Sequence, residues 1–340
     1  MINIAVVGLG FMGVTHLKAY RKLKDVRIAA ICDAVKLPAD GVLASVAGNV
    51  ADPDPVRLDM TQVRAYKDFN ELLADKGVDL IDLCVPTPLH VKLATAALAS
   101  GRHVVCEKPL ARTSAQAREI ADAAAKAKGF FMPAMCMRFW PGWSWLKQAI
   151  ADGRHGKVLA ARFRRVSEPP GWAKGSYFKG DESGGALLDL HIHDTDFVQF
   201  LFGRPKAVSS VGLTRYSGAI DHVSTQYHFA GAPAVTAEGS WLMTPGWGFN
   251  MSYTVIFEKA TAEFDSARGA EALKLTEEGK PTATVPLEAG DGYEGELGHM
   301  IESIRAGKAP SIVTARDGVS AVEICEAEEK SVASGQVVAV

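Results

Sequence analysis

The stretch VVGLGFMG constrains this chain more than any other. Gly8, Gly10 and Gly13 stand in the G-x-G-x-x-G arrangement, directly after the apolar run INIAVV and at the start of the helix-like MGVTHLKAYRKL. In that context the first glycine permits a tight turn and the second lets backbone approach a pyrophosphate. The third lets helix and strand pack closely. The helix N-terminus adds unpaired N–H groups and a partial positive charge for the phosphate. The spacing predicts a dinucleotide-binding βαβ unit, with Gly8, Gly10, Phe11, Met12 and Gly13 against the cofactor. Asp33 comes 20 residues after Gly13, at the end of the next apolar run. A carboxylate there accepts hydrogen bonds from ribose hydroxyls and repels a 2′-phosphate. NAD is therefore expected as cofactor, with Lys36 close enough to leave NADP open.

The first 135 residues continue the alternation. DLIDLCVP precedes PLHVKLATAALASG, HVVCEKP precedes SAQAREIADAAAKAKG, and FFMPAMC closes the series. Apolar runs separated by helices mark strands buried on both faces, hence a parallel α/β sheet. Ligands of such sheets collect at the carboxyl edge of the strands. Pro86, Thr87 and His90 in CVPTPLH, and Glu107 and Lys108 in CEKP, fall at that edge and are candidate cofactor contacts. The residues from 34 to 62 are poorly patterned, and ADPDPVRLD reads as a loop.

After residue 135 the pattern changes. WSWLKQAIADG reads as a helix, GKVLAARFRRVSE as an alternating strand, and GALLDLHIHDTDFVQFLFG as a second helix behind a glycine-rich loop. AVSSVGLTRY, HVSTQYHFA, AVTAEGSWL, MSYTVIFE and TAEFDSA follow as short strands with turns between them, which implies a mostly antiparallel sheet. Helix patterns near 293–305 and 316–334 end the chain. The fold class is α/β, with a Rossmann-type domain over 1–135. An α+β domain with an open, mostly antiparallel sheet fills 136–340.

DLHIHDTD, residues 189–196, carries two histidines and three aspartates. On a helix, positions four apart share a face, so Asp189 and His193 point the same way. His191 and His193 diverge by about 200° at 3.6 residues per turn, so no shared metal is expected. Asp194 and Asp196 read as capping or solvent contacts, and His191 as a substrate contact or a packed polar residue. Arg138, in MRFWP, is a candidate contact to cofactor or substrate, and Trp172, in the loop PPGWAKGSYFKGDESGG, a candidate substrate contact; aromatic faces suit sugar rings or a nicotinamide.

The net charge of −2 with interspersed signs argues against a nucleic-acid partner. No apolar run is long enough for a membrane span, and the N-terminus runs into a strand without a leader pattern. Five cysteines without CxxC spacing suit buried, reduced thiols. A cytoplasmic protein is expected.

With these residues in view, the chain resembles the glucose–fructose oxidoreductase/inositol dehydrogenase/MocA (Gfo/Idh/MocA) family of nicotinamide-dependent sugar oxidoreductases. The resemblance rests on GLGFMG, PTPLH, GRHVVCEKPLA, SGGALLDLHIHDTD and YEGELGHMIESIRAGKAP, and spans nearly the whole chain. It implies a catalytic set of Lys108, Asp189 and His193, with the same three in contact with a sugar or polyol. In that reading His193 takes the hydroxyl proton while hydride moves to the nicotinamide, and Lys108 stabilises the developing alkoxide. Asp189 binds substrate hydroxyls or orients His193. It also implies an open sheet that joins subunits into a homodimer or homotetramer. At position 191 the chain departs from the family, which commonly has glycine there. Two other readings compete with the dehydrogenase: an NAD-dependent glycosidase working by transient oxidation and elimination, and a non-catalytic nucleotide sensor. The retained Lys108, Asp189 and His193 argue against the sensor.

Overall fold

The structure, a computed structural model, describes residues 1–44, 48, 54–171, 177–231 and 233–340. The chain forms two compact units. One comprises residues 1–136 and 291–319, the other 137–290 and 320–340. The division first falls after residue 136, and the second unit is not continuous to the C-terminus. Residues 291–319 return to the first unit, a long-range packing that local sequence pattern does not register.

In the first unit, strands β1 (Ile2–Val7), β2 (Val26–Cys32), β5 (Arg64–Tyr66), β6 (Leu80–Leu83), β7 (His103–Glu107) and β8 (Phe131–Ala134) form one sheet in the order β5-β2-β1-β6-β7-β8. Every pairing is parallel. Ile4, Ala5, Val6, Leu80, Ile81, Val104 and Val105 are all fully buried, as strands covered on both faces require. Helices α1 (Phe11–Lys22), α2 (Phe69–Ala74), α3 (His90–Ala99) and α4 (Ser114–Lys126) connect the strands. A capping box opens α4: the Thr113 side chain accepts from the Gln116 N–H, and the Gln116 side chain accepts from the Thr113 N–H. Strand order reverses at β1, so β1 and β6 flank a switch point whose carboxyl edge is the natural ligand crevice. In the region read as a loop, β3 (Val42–Leu43) and β4 (Val56–Arg57) make a two-residue antiparallel pair.

The second unit holds α5 (Pro141–Ala151), α6 (Gly180–Ser183) and α7 (Ile192–Phe202) against a nine-stranded sheet. Its strands are β9 (Val158–Ser167), β10 (Ala207–Leu213), β11 (His222–His228), β12 (Ala234–Ser240), β13 (Phe249–Phe257), β14 (Ala260–Asp265), β15 (Leu273–Glu277), β16 (Ala283–Thr284) and β17 (Val338–Ala339). The order is β16-β15-β14-β13-β9-β12-β11-β10-β17. All pairs are antiparallel except β12 with β9. Alternate residues face the core: Phe163, Thr225, Ala237, Tyr253 and Phe264 lie in one cross-strand row and are all buried. Trp143 of α5 meets Tyr253 and Phe264 edge-on, and Phe163 meets Phe197 of α7. Each such aromatic contributes on the order of 2–3 kcal/mol of burial free energy. The opposite face alternates polar and apolar side chains and leaves Val211, Leu213 and Ile256 exposed.

Two helices end the chain, α8 (Gly292–Ala306) and α9 (Ala315–Ser334). In the first unit α8 packs on α1: Lys22 pairs with Glu294, and Arg305 lies 3.2 Å from Asp25. Among the described residues, no helix is long and apolar enough to cross a membrane.

Candidate active site

The glycine loop has the geometry its spacing predicts. Gly8 sits at φ +88°, and a Cβ there would lie 2.4 Å from the Cys84 carbonyl oxygen. A Cβ on Gly13 would lie 1.9 Å from the Gly8 carbonyl oxygen, whereas one on Gly10 would meet nothing within 4 Å. The first and third glycines are thus required by the protein itself, and the space at Gly10 is left for a ligand. Gly10 is also the N-cap of α1 and offers no side-chain cap, so the positive end of this 12-residue helix faces the loop. This cradle fits a dinucleotide pyrophosphate. Phe11 and Met12 are half-buried at the helix start. Asp33 is half-buried; its Oδ2 accepts the Leu9 N–H at 2.8 Å, and its Oδ1 accepts the N–H groups of Val35 and Lys36. It therefore tethers the glycine loop while keeping part of its surface open.

At the same sheet edge, Pro86 is exposed, Thr87 begins a short 3-10 turn, and Lys108 is half-buried between the buried Glu107 and Pro109. His90 and Glu107 depart from their expected roles as cofactor contacts. The His90 ring is buried with Nδ1 2.9 Å from the Pro109 carbonyl and Nε2 2.8 Å from the Val85 carbonyl. Burial holds its pKa below the ordinary histidine range against the pull of those carbonyls. Both nitrogens face backbone carbonyls of the edge loops, and the neutral ring donates its one N–H to one of them at a time. The Glu107 carboxylate turns inward: Oε1 is 3.1 Å from His16 Nε2, and Oε2 accepts the Lys108 N–H at 3.1 Å.

In the second unit, residues 187–191 form a π-helical turn that runs into α7. The turn lies on β12 where Gly239 removes a side chain; a Cβ there would fall 2.5 Å from the His191 Cβ. From 184 to 198 every residue is buried except Asp189 and His193, which stay partly open. The pair expected to share a face is the pair this segment leaves accessible.

The other polar residues of the segment are structural. His191 is fully buried, with Nε2 3.2 Å from both Glu328 Oε1 and the Tyr227 hydroxyl. Thr195 joins them, 2.9 Å from the same hydroxyl. Of the two readings open to His191, the geometry matches the packed polar residue, and the expected substrate contact is corrected. Asp194 and Asp196 are not capping or solvent groups. Asp194 takes Arg165 at 2.9 and 3.2 Å, and Asp196 takes Arg138 at 2.8 and 2.6 Å, all buried. Arg138 is thereby corrected too: its guanidinium is held in a two-pronged ion pair and lies over Phe200, 4.6 Å from the ring centroid. Trp172 lies outside the described residues.

Sequence reasoning missed one polar constellation, all of it in the first unit. His16 Nδ1 is 2.8 Å from Asp82 Oδ2, and its Nε2 faces Glu107 and, at 3.6 Å, Glu296 Oε1. An aspartate inside the buried run LIDLC was the available signal, since a charge in a two-sided strand requires a partner. Among the described residues, the sets of ligand-type atoms within reach of one ion both centre on His16, and neither includes His191 or His193.

Comparison with known proteins agrees with this architecture. Residues 2–135 match the family described as oxidoreductase family, NAD-binding Rossmann fold, and residues 143–263 match the GFO/IDH/MocA C-terminal domain. The chain is 27% identical to myo-inositol 2-dehydrogenase of Thermotoga maritima over 97% of this chain and 96% of that protein. It is 28% identical to levoglucosan dehydrogenase of Pseudarthrobacter phenanthrenivorans, over 62% of this chain but only 53% of that protein, about half its length. The solved structure of levoglucosan dehydrogenase with NADH and levoglucosan superposes with a TM-score of 0.84 at 22% identity, covering 100% of this chain and 99% of that one, which shows a shared fold. With both domains matched in order, the chain belongs to the Gfo/Idh/MocA family of oxidoreductases.

Proposed function

We propose that this protein is an NAD-dependent dehydrogenase of sugars or polyols, moving a hydride between a carbinol carbon and nicotinamide. The observation that carries the reading is the accessible Asp189 and His193 in an otherwise buried polar segment. It is supported by the glycine cradle and by Lys108 at the carboxyl edge of the parallel sheet. NAD, when bound, supplies the hydride acceptor. From the second unit, His193 accepts the proton of the substrate hydroxyl, and Asp189 binds neighbouring hydroxyls or orients His193. From the first unit, Lys108 donates to the same oxygen and stabilises its developing negative charge. Asp33 favours the 2′-hydroxyl of NAD over the 2′-phosphate of NADP. We further assign the protein to the cytoplasm and the open face of the nine-stranded sheet to subunit pairing in a dimer or tetramer.

The test is a panel of cyclic polyols, aldoses and anhydrosugars with NAD⁺ or NADP⁺, read by near-ultraviolet absorbance of the reduced nucleotide. Net reduction of NAD⁺ by a polyol or sugar supports the reading. Release of sugar from glycosides without net reduction, or no reduction across the panel, contradicts it. Light scattering after size exclusion tests the assembly, and a monomer would refute that assignment.

A further inference from the structure

The His16 cluster is the largest group of buried titratable side chains that the proposed chemistry leaves unused. His16 lies on α1, in the third position after Gly13; Asp82 is in the middle of β6, Glu107 ends β7, and Glu296 comes from α8. His16, Asp82 and Glu296 are fully buried and Glu107 nearly so. Nδ1 of His16 donates to Asp82, with the Cys84 sulfur 3.3 Å from the same nitrogen. Nε2 makes an off-axis charge contact shared between Glu107 and Glu296, not a linear hydrogen bond. Among the described residues, neither carboxylate oxygen of Glu296 has a hydrogen-bond partner.

Three buried carboxyls around one imidazole must settle their charges with few counter-ions, His16 within the cluster and Lys108 at the edge of Glu107. Burial alone would lower the His16 pKa, but Asp82 and Cys84 raise it well above the ordinary value. Burial would raise Glu107, yet His16 and Lys108 bring it below its usual range. Glu296, buried and beside two other carboxylates, is pushed well above it. These directions favour a protonated His16 beside an ionised Glu107, with Glu296 keeping its proton.

Glu107 is the point where this cluster touches the reaction. Its Oε1 faces His16 and its Oε2 holds the backbone N–H of Lys108, while His90 holds the Pro109 carbonyl on the other side. We propose that His16, anchored by Asp82, is a positioning residue for Lys108, acting through Glu107. The helix that begins at the pyrophosphate cradle thereby sets the backbone from which the lysine reaches substrate. The inference rests on the proposed role of Lys108, but its test does not.

The test is hydrogen exchange at the Lys108 amide in the full-length protein with NAD⁺ present, resolved to single residues and corrected for intrinsic rate. In His16→Asn, which keeps a donor toward Asp82 but none toward Glu107, Lys108 protection is expected to fall roughly tenfold or more. His16→Gln, which returns a donor near the Nε2 position, should recover part of it. In a Glu107→Ala background, His16→Asn should cause no further loss at Lys108. The wild type provides a readout that needs no variant. Protection at Lys108 should decline as pH rises through the raised His16 pKa, within a shell of Asp82, Cys84, Tyr20, Glu107, Tyr293 and Glu296. A merely structural His16 would lower thermal stability and loosen neighbouring amides equally, with a flat pH response at Lys108; that result overturns the proposal. Stoichiometric metal in the purified protein, lost on Glu296→Gln, also overturns it, since Nε2 would then be a ligand and not a donor. Failure of the underlying reading is separate: it would appear as undiminished polyol oxidation in Lys108→Met.

Discussion

In the proposed mechanism Lys108 and His193 serve opposite needs of one substrate oxygen, so their losses should look alike in rate and unlike a binding defect. Lys108→Met and His193→Ala are each predicted to lower kcat by roughly 10²–10⁴-fold. The dissociation constant for NADH, measured by fluorescence titration, should stay within about threefold, because the pyrophosphate cradle is untouched. Near-normal rates in both variants would remove them from the mechanism. The buried ion pairs obey a different rule. Asp194→Ala strands the Arg165 guanidinium inside the second unit and should cost about 3–5 kcal/mol in denaturant unfolding. These pairs show where reading residues from the sequence stops. A sequence displays the charges of Asp194, Asp196 and Arg138 but not their distances, so charged side chains default to solvent or ligand. Only the fold reveals that they neutralise one another. Asp189 and His193 were legible because their spacing is local.

At the scale of elements, what was legible follows from how local the cause is. The glycine turn, the apolar strands of the first sheet and the helices near both chain ends are encoded within a few residues. The parallel pairing of β9 with β12 was not, because its partners lie far apart in the chain and either pairing direction accepts the same alternation. The π-helical turn at 187–191 was also hidden; it packs closely on Gly239 of β12, a residue far away in the chain. Whether the turn depends on that approach is testable. Gly239→Ala drives a methyl against the His191 Cβ and ring and should destabilise the second unit by about 1–3 kcal/mol. It should also depress kcat more than NADH affinity, since the turn carries Asp189. Unchanged stability would show that the turn does not depend on this close approach.

For the whole molecule, the return of residues 291–319 makes the C-terminal segment part of the nucleotide-binding unit and adds Glu296 to its interior. This has a consequence for pH. His16 and Glu296 both have folded pKa values above their ordinary ones, so the stability they contribute is present below those ordinary values. It is lost as pH rises through the folded values. Glu107 is depressed, so its contribution is present above its ordinary value and lost on acidification through the folded one. Melting temperature should therefore fall on both the acid and alkaline sides. Glu296→Gln, which cannot ionise, should lose less melting temperature than the wild type as pH rises above the ordinary glutamate range. Parallel melting curves for the two proteins would mean that Glu296 does not hold its proton in the fold.

In the proposed reaction a carbon-bound hydrogen of a sugar or polyol passes directly to nicotinamide. Incubation with NAD⁺ and carbon-perdeuterated polyols and sugars, followed by mass spectrometry of the reduced nucleotide, follows that hydrogen. The expected product is NADH carrying a single deuterium, formed by the wild type and not by His193→Ala. Reduced nucleotide without deuterium, or none from any member of the panel, would contradict it.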